Sequence, residues 1–166
     1  PYEFKEVLLM AEILKNTVLN KWHRDNKGRM VPFGGWDMPV NYATGIIAEH
    51  LATRKNAGIF DISHMGRLRI TGQDALPFLQ HTLTNDASQL KPGTAQYTII
   101  PNDTGGAVDD AYLYQRDESD YLLVVNASNT PKDISWLTSY LKGFHQAQME
   151  EITSELFMAS LQGPES

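Results

Sequence analysis

The sequence contains no cysteine, and that single absence excludes disulfides, thiolate metal ligands and cysteine nucleophiles together. It also fits a reducing compartment. A tract of about 18 or more apolar residues, the length that spans a bilayer, is missing too, so no transmembrane helix is expected. Basic residues are outnumbered, 14 Lys and Arg against 20 Asp and Glu, for a net charge of −6. The chain therefore lacks the cationic surplus that a phosphate backbone attracts, and neither nucleic acid nor a membrane is expected as a partner. Glu3, Glu6 and Glu12 near the start resemble neither an Arg-rich transit peptide nor a secretory signal, which leads to a cytoplasmic expectation. The 5 histidines form no His-x-x-x-His pair, and no metal site is expected. Gly34-Gly35 and Gly105-Gly106 fit neither a dinucleotide fingerprint nor a P-loop. Asp61, Ser63 and His64 are triad residue types, but such neighbours rarely reach nucleophile-base geometry; a packed turn with His64 bonded to backbone is expected.

What is present is 166 residues, 42% of them hydrophobic, enough for one domain or part of a larger one that buries roughly two-thirds of its unfolded surface. Phe4, Val7, Leu8, Ala11, Leu14 and Val18 recur at helical spacing and predict an amphipathic helix within residues 1–20. Residues 20–27 are polar. Residues 30–42 hold two Pro and two Gly among large apolar side chains, which predicts an irregular segment pinned by its aromatics. A helix over 44–56 carries Ile47, Leu51 and Arg54 on one stripe, with Gly58 placed to end it. Residues 66–71 read as a strand, and 74–83 as a helix whose first turn holds Pro77 and which buries Ala75, Phe78, Leu79 and Leu83. Three strands at 94–100, 107–115 and 121–126, joined by short turns, predict an antiparallel meander. Thr130-Pro131-Lys132-Asp133 opens a helix with an N-cap hydroxyl, an early Pro and an acid in the first turn, and Ile134, Leu137 and Leu141 form its stripe. A last strand is expected at 156–161. Helices and antiparallel strands without regular alternation place the chain in the α+β class, antiparallel sheets with packed helices.

The chemistry concentrates at Asn102 to Tyr114. A turn at Asn102-Asp103-Thr104-Gly105-Gly106 leads into a strand that carries two adjacent carboxylates. Alternation puts Ala107, Asp109, Ala111 and Leu113 on one face and Val108, Asp110, Tyr112 and Tyr114 on the other. Asp109 is expected to be solvated or bonded within the turn. Asp110 is expected to lose hydration among apolar and aromatic neighbours, which makes it the candidate proton acceptor or ligand-orienting group. If the meander strands pair in order, Tyr97 and Asn126 flank it. An aromatic, an amide and a carboxylate together suit the edge of a flat heterocycle; against this stands a plainer reading, with Tyr97 in the core and Asn126 a strand-end turn former.

Five ordered motifs extend this reading. Met30-Val31-Pro32-Phe33-Gly34-Gly35-Trp36-Asp37-Met38-Pro39-Val40, Phe60-Asp61-Ile62-Ser63-His64-Met65-Gly66, Thr84-Asn85-Asp86, Gly105-Gly106-Ala107-Val108-Asp109-Asp110 and Val124-Val125-Asn126-Ala127 resemble the successive signatures of the glycine cleavage system T proteins, an aminomethyltransferase family. The resemblance covers residues 17–164 or so. It implies a tetrahydrofolate-dependent transfer in which the aminomethyl group on the dihydrolipoyl arm of lipoylated H protein gives its carbon to folate, releasing ammonia and methylenetetrahydrofolate. It implies Asp110 as the catalytic carboxylate beside the pterin, with Met65, Tyr97, Val124 and Asn126 lining the folate pocket. The family's chains are about twice as long, and its further pterin-binding Glu and Arg match nothing up to Ser166. Residues 17–166 are thus expected to be the N-terminal part of the folate-binding domain, truncated on its C-terminal side, behind an atypical helix at 1–16. Alone, such a chain is expected to bind folate weakly without turnover. Two other classes remain: a non-catalytic folate-binding module of the kind associated with iron-sulfur cluster repair, and another folate-dependent enzyme such as a demethylase or the folate domain of sarcosine dehydrogenase. Ser63-His64-Met65-Gly66 and Asp109-Asp110 favour the T protein.

Overall fold

The computed structural model describes residues 13–166. In chain order its elements are β1 (Lys15–Asn16), α1 (Asn20–Asp25), β2 (Arg29–Phe33), β3 (Trp36–Asn41), α2 (Ile46–Lys55), β4 (Gly58–Asp61) and β5 (Gly66–Thr71). There follow α3 (Ala75–Thr82), a 3₁₀ turn at Ala87–Gln89, β6 (Ala95–Pro101), β7 (Ala107–Asp117), β8 (Asp120–Val125), α4 (Thr130–Leu141), β9 (Gln148–Glu151) and β10 (Ala159–Gln162). The α+β expectation holds. No helix of the described residues is long and apolar enough to cross a membrane.

The centre is an antiparallel five-stranded sheet in the order β6-β7-β8-β5-β9. The expected meander is its first three strands, and β5 joins β8 with Gly66 opposite Val125 and Leu68 opposite Leu123. One face alternates apolar: Ile100, Ala111, Leu113, Leu123, Val125, Leu68 and Ile70 pack with Phe78 and Leu79 of α3 and Leu137 of α4 in one buried cluster. Complete burial of each large side chain contributes roughly 1.5–3 kcal/mol, so this face and its two helices hold the domain together. The 74–83 helix is observed as α3, burying the residues named for it. The opposite face carries Tyr97, Tyr112, Val124 and Arg67 in one cross-strand row. Its β6-β7 half is open, with Tyr97 and Tyr112 exposed, whereas Val124 and Arg67 are buried.

Several local expectations are corrected. Most of the 1–20 helix lies outside the described residues; within them, Lys15 and Asn16 form β1, parallel to β3. The polar stretch after Leu19 is helical, as α1. Residues 30–42 are a hairpin, because Gly34 and Gly35 both take positive φ (55° and 82°), as a two-residue turn between right-twisting strands requires. Its prolines are tolerated for stated reasons: Pro32 lies on edge strand β2, and Pro39 faces Met30 beside a bulge. Gly58 does not cap α2 but starts β4; the helix ends at Lys55, with Asn56 as its C-cap. Thr130 is not the N-cap; it lies inside α4 and its hydroxyl donates to the Asn126 carbonyl at 3.0 Å. The last strand is shorter and later, as β10 on β4, while β9, unforeseen, borders β5.

Candidate functional site

The turn before β7 is set by Asn102, whose side-chain oxygen accepts from the Thr104 amide at 3.0 Å, the Thr104 hydroxyl at 2.8 Å and the Gly106 amide at 2.8 Å. Those bonds fix where β7 begins and therefore which carboxylate faces which way. The outcome reverses the expected environments. Asp109 is the buried one, at 8% exposure, on the core face opposite Ile100; Asp110 points to the open face and is exposed. The reason is that the core face of β7 is the Ala111-Leu113 side, covered by α3 and α4, and Asp109 shares its parity.

The open face still assembles the expected group. Tyr97 donates its hydroxyl to Asp110 Oδ2 at 3.1 Å, and Asn126 donates from Nδ2 to Asp110 Oδ1 at 2.9 Å. Tyr97 is 54% exposed, which overturns its alternative reading as a core residue. The Asp110 carboxylate, by accepting that bond, pushes the Tyr97 phenol above its ordinary pKa and keeps it a neutral donor. Val124 lies in the same cross-strand row as Tyr97, two positions away through Tyr112. Met65 stands one residue before β5, at the sheet end where Gly66 pairs with Val125, next to Asn126 in sequence. Neither side chain hydrogen-bonds the Tyr97-Asp110-Asn126 set.

The same Asn126 nitrogen also donates to Asp109 Oδ1 at 2.9 Å, so one amide bridges both carboxylates through the strand. Burial pushes Asp109 up, but hydrogen bonds with Asp133, Asn126 and Asn129 outweigh it and hold the carboxyl below the ordinary range. Asp133, fully buried on α4, is pushed up from 3.8 to about 8, first by burial and then by its hydrogen bond to Asp109 and the charge of that neighbour.

Two residues were missed by sequence reasoning. Asp133 was read only as a first-turn acid, yet it precedes Leu137 by four residues and so shares the buried stripe; that spacing was the available signal. Arg67, 1% exposed, inserts its guanidinium between two segments and donates to the carbonyls of Ser63 (2.9 Å), Met65 (2.7 Å), Leu156 (2.9 Å) and Thr153. Burial lowers its pKa, though an arginine stays charged, and carbonyl dipoles replace the lost water. Arg67 thereby fixes the Ser63-His64-Met65 segment, Met65 included.

The triad residue types do not converge. Asp61 accepts from the Ser63 amide at 2.9 Å, from the Thr17 hydroxyl at 2.6 Å and from His23 Nε2 at 3.0 Å. The expected backbone bond of His64 is absent at Nδ1, which is buried without a partner among the described residues while the ring packs edge-on against Phe33. A separate cleft of about 550 Å³, lined by Trp22, His23, Val40, Tyr42, Phe60 and Phe157 among others, includes none of the Tyr97-Asp110-Asn126 set.

The family described as GCVT N-terminal domain matches residues 19–166. An aminomethyltransferase of Deinococcus deserti is 51% identical over 153 residues, which is 92% of this chain and 42% of the relative. An aminomethyltransferase of Chlorobaculum tepidum is 47% identical over the same shares of the two chains, 92% and 42%. The crystal structure of glycine cleavage system aminomethyltransferase T from Bartonella henselae superposes with a TM-score of 0.85 at 37% identity, over 91% of this chain and 41% of that one. The chain thus spans about 42% of the length of the curated relatives it matches.

Proposed function

The chain belongs to the GCVT N-terminal domain family, and from that membership we propose that it supplies the pterin-facing part of a tetrahydrofolate-dependent aminomethyltransferase of glycine cleavage. The observation that carries this reading is the Tyr97-Asp110-Asn126 set, hydrogen-bonded together on the uncovered half of the central sheet. Tyr97 and Tyr112 offer aromatic surface for a flat ring. The Asp110 carboxylate accepts a proton or a hydrogen bond from the ring edge, and Asn126 can match donors with its free carbonyl. In this reading the aminomethyl carbon forms bonds to two folate nitrogens as its bonds to the amino nitrogen and to the lipoyl sulfur of H protein break, so that ammonia and the dihydrolipoyl thiol leave, and Asp110 orients the folate and steers the proton released by the attacking nitrogen. Such general acid-base assistance is worth about 10²–10⁴-fold in rate. Met65, held by Arg67, and Val124 flank the folate without polar contact. A cytoplasmic setting and H protein as partner belong to the same proposal.

The test is Asp110→Asn in a full-length aminomethyltransferase carrying these residues. The amide keeps shape but gives up charge and basicity, so folate affinity is expected to stay within a few-fold while turnover falls by about 10²-fold or more. Turnover near the parental level would remove Asp110 from the chemistry and favour a folate-binding module without aminomethyl transfer.

A further inference from the structure

Behind the open face, three buried carboxylate oxygens, Asp109 Oδ2 and both oxygens of Asp133, lack a hydrogen-bond partner of ordinary geometry among the described residues; the two side chains lie within reach of each other, with Asn129 also beside Asp109. Two ionised carboxylates side by side out of water repel strongly, and among the described residues neither forms an ion pair. Lys132, the neighbouring cation on α4, spends its Nζ on the Val108 carbonyl at 2.6 Å. One proton held between Asp109 and Asp133 removes the repulsion and gives Asp109 Oδ2 a donor. We propose that Asp133 is a positioning residue: it donates that shared proton to Asp109, holds the Asp109 carboxylate in place, and through it fixes the side-chain amide of Asn126 toward Asp110.

The geometry assigns each member a role. Asp109 Oδ1 is already engaged by Asn126 Nδ2, so the proton from Asp133 falls to Asp109 Oδ2. Asp109 remains an anion, and an anion accepts only from the NH₂ end of the Asn126 amide. That fixes which way the amide is turned: its nitrogen lies on Asp109 and Asp110, and its carbonyl is left for a ligand donor. The flexible choice between two amide orientations is thereby removed before ligand arrives. The charged and titratable groups facing Asp133 are Asp109 and Asp110 on β7 and Lys132 on its own helix. If Asp133 ionises, a second negative charge sits against Asp109, the pair separates, and Asn126 loses its support.

The inference about orientation stands on the fold; its consequence for catalysis rests on the proposed function. Carboxyl and side-chain amide NMR of the full chain tests the first part. The Asp133 carboxyl is expected to titrate near 8, and the Asn126 NH₂ resonances are expected to move with that same midpoint. In Asp133→Asn, whose amide donates in place of the acid, the Asn126 resonances should keep their low-pH position throughout. An Asp133 midpoint at the ordinary carboxylate value, or Asn126 resonances indifferent to its titration, would overturn the proposal. The wild-type titration decides it even if the variant unfolds. In a full-length aminomethyltransferase, the alkaline loss of turnover that follows Asp133 ionisation should disappear in Asp133→Asn. If folate chemistry fails while the NMR coupling holds, it is the functional reading that falls and not the positioning role.

Discussion

Asp133 stores a proton at a pH where an aspartate in water has none, and stability must record it. Its pKa rises from 3.8 in the unfolded chain to about 8 in the fold. Between those values the folded state holds a proton that the unfolded chain has released, so this contribution is complete below the lower value and is lost as pH climbs to the upper one. The slope is at most about 1.4 kcal/mol per pH unit. Urea denaturation at intervals from about pH 5 to 8 is expected to show wild type losing stability relative to Asp133→Asn as pH rises; parallel curves would mean that Asp133 is not protonated in the fold. Asp61 runs in the opposite sense. Burial raises it, but the hydrogen bonds from Thr17, His23 and Ser63 win and lower it, so its contribution is present above the ordinary 3.8 and is lost as pH falls below it. The residue scale is also where sequence reading failed most instructively. Alternation sorted Asp109 and Asp110 onto opposite faces correctly, but which face is covered depends on α3 and α4, whose docking is not written in β7 itself.

At the scale of elements, the site depends on how closely α4 approaches the start of β5. A Cβ on Gly66 would lie 2.3 Å from Thr130 Oγ1 and 2.7 Å from Val125 Cγ2. Gly66→Ala is therefore expected to push α4 off the sheet at the end where Thr130 bonds the Asn126 carbonyl, costing about 1–3 kcal/mol. Chemical denaturation checks it, and a loss within about 0.5 kcal/mol would show that the contact is slack. Elements with a single dominant pattern were legible in the sequence: the meander from its turn residues and α3 from Pro77 and its apolar spacing. The β2-β3 hairpin was not, since prolines read as breakers until one knows that β2 is an edge and that a bulge adjoins Pro39 in β3. The Thr130 hydroxyl could not be placed either. Cap and back-bonded threonine share one sequence signal, and the Asn126 carbonyl that captures it comes from the preceding strand end.

Across the whole molecule, apolar side chains are distributed unevenly. Ile46, Ile47 and Leu51 of α2, Ile59 and Phe60 of β4, Phe157 and Leu161 are all exposed, and α2 buries no residue. The expected Ile47-Leu51-Arg54 stripe thus exists as a pattern with nothing packed on it among the described residues. Surface of this kind drives association in water. Sedimentation velocity of the purified chain is expected to show species larger than monomer that grow with concentration and diminish in Ile47→Lys/Leu51→Lys; a monodisperse monomer at all concentrations would contradict this. The chain spans 42% of its relatives' length, and groups from the remainder of such a protein are expected to complete the folate pocket. Under the proposed function, two charge-assisted hydrogen bonds from that remainder would account for a difference of about 10²–10⁴-fold in folate affinity between this chain alone and the longer protein.

The proposed function requires that folate meet the open half of the central sheet. Titration of the chain with tetrahydrofolate, followed by backbone and side-chain amide NMR, measures this directly. The expected result is saturable shifts at Tyr97, Asp110 and the Asn126 NH₂, with a dissociation constant weaker than about micromolar and no turnover. Shifts confined to the Trp22-Val40-Phe60-Phe157 cleft, or none at any of the three residues, would contradict it.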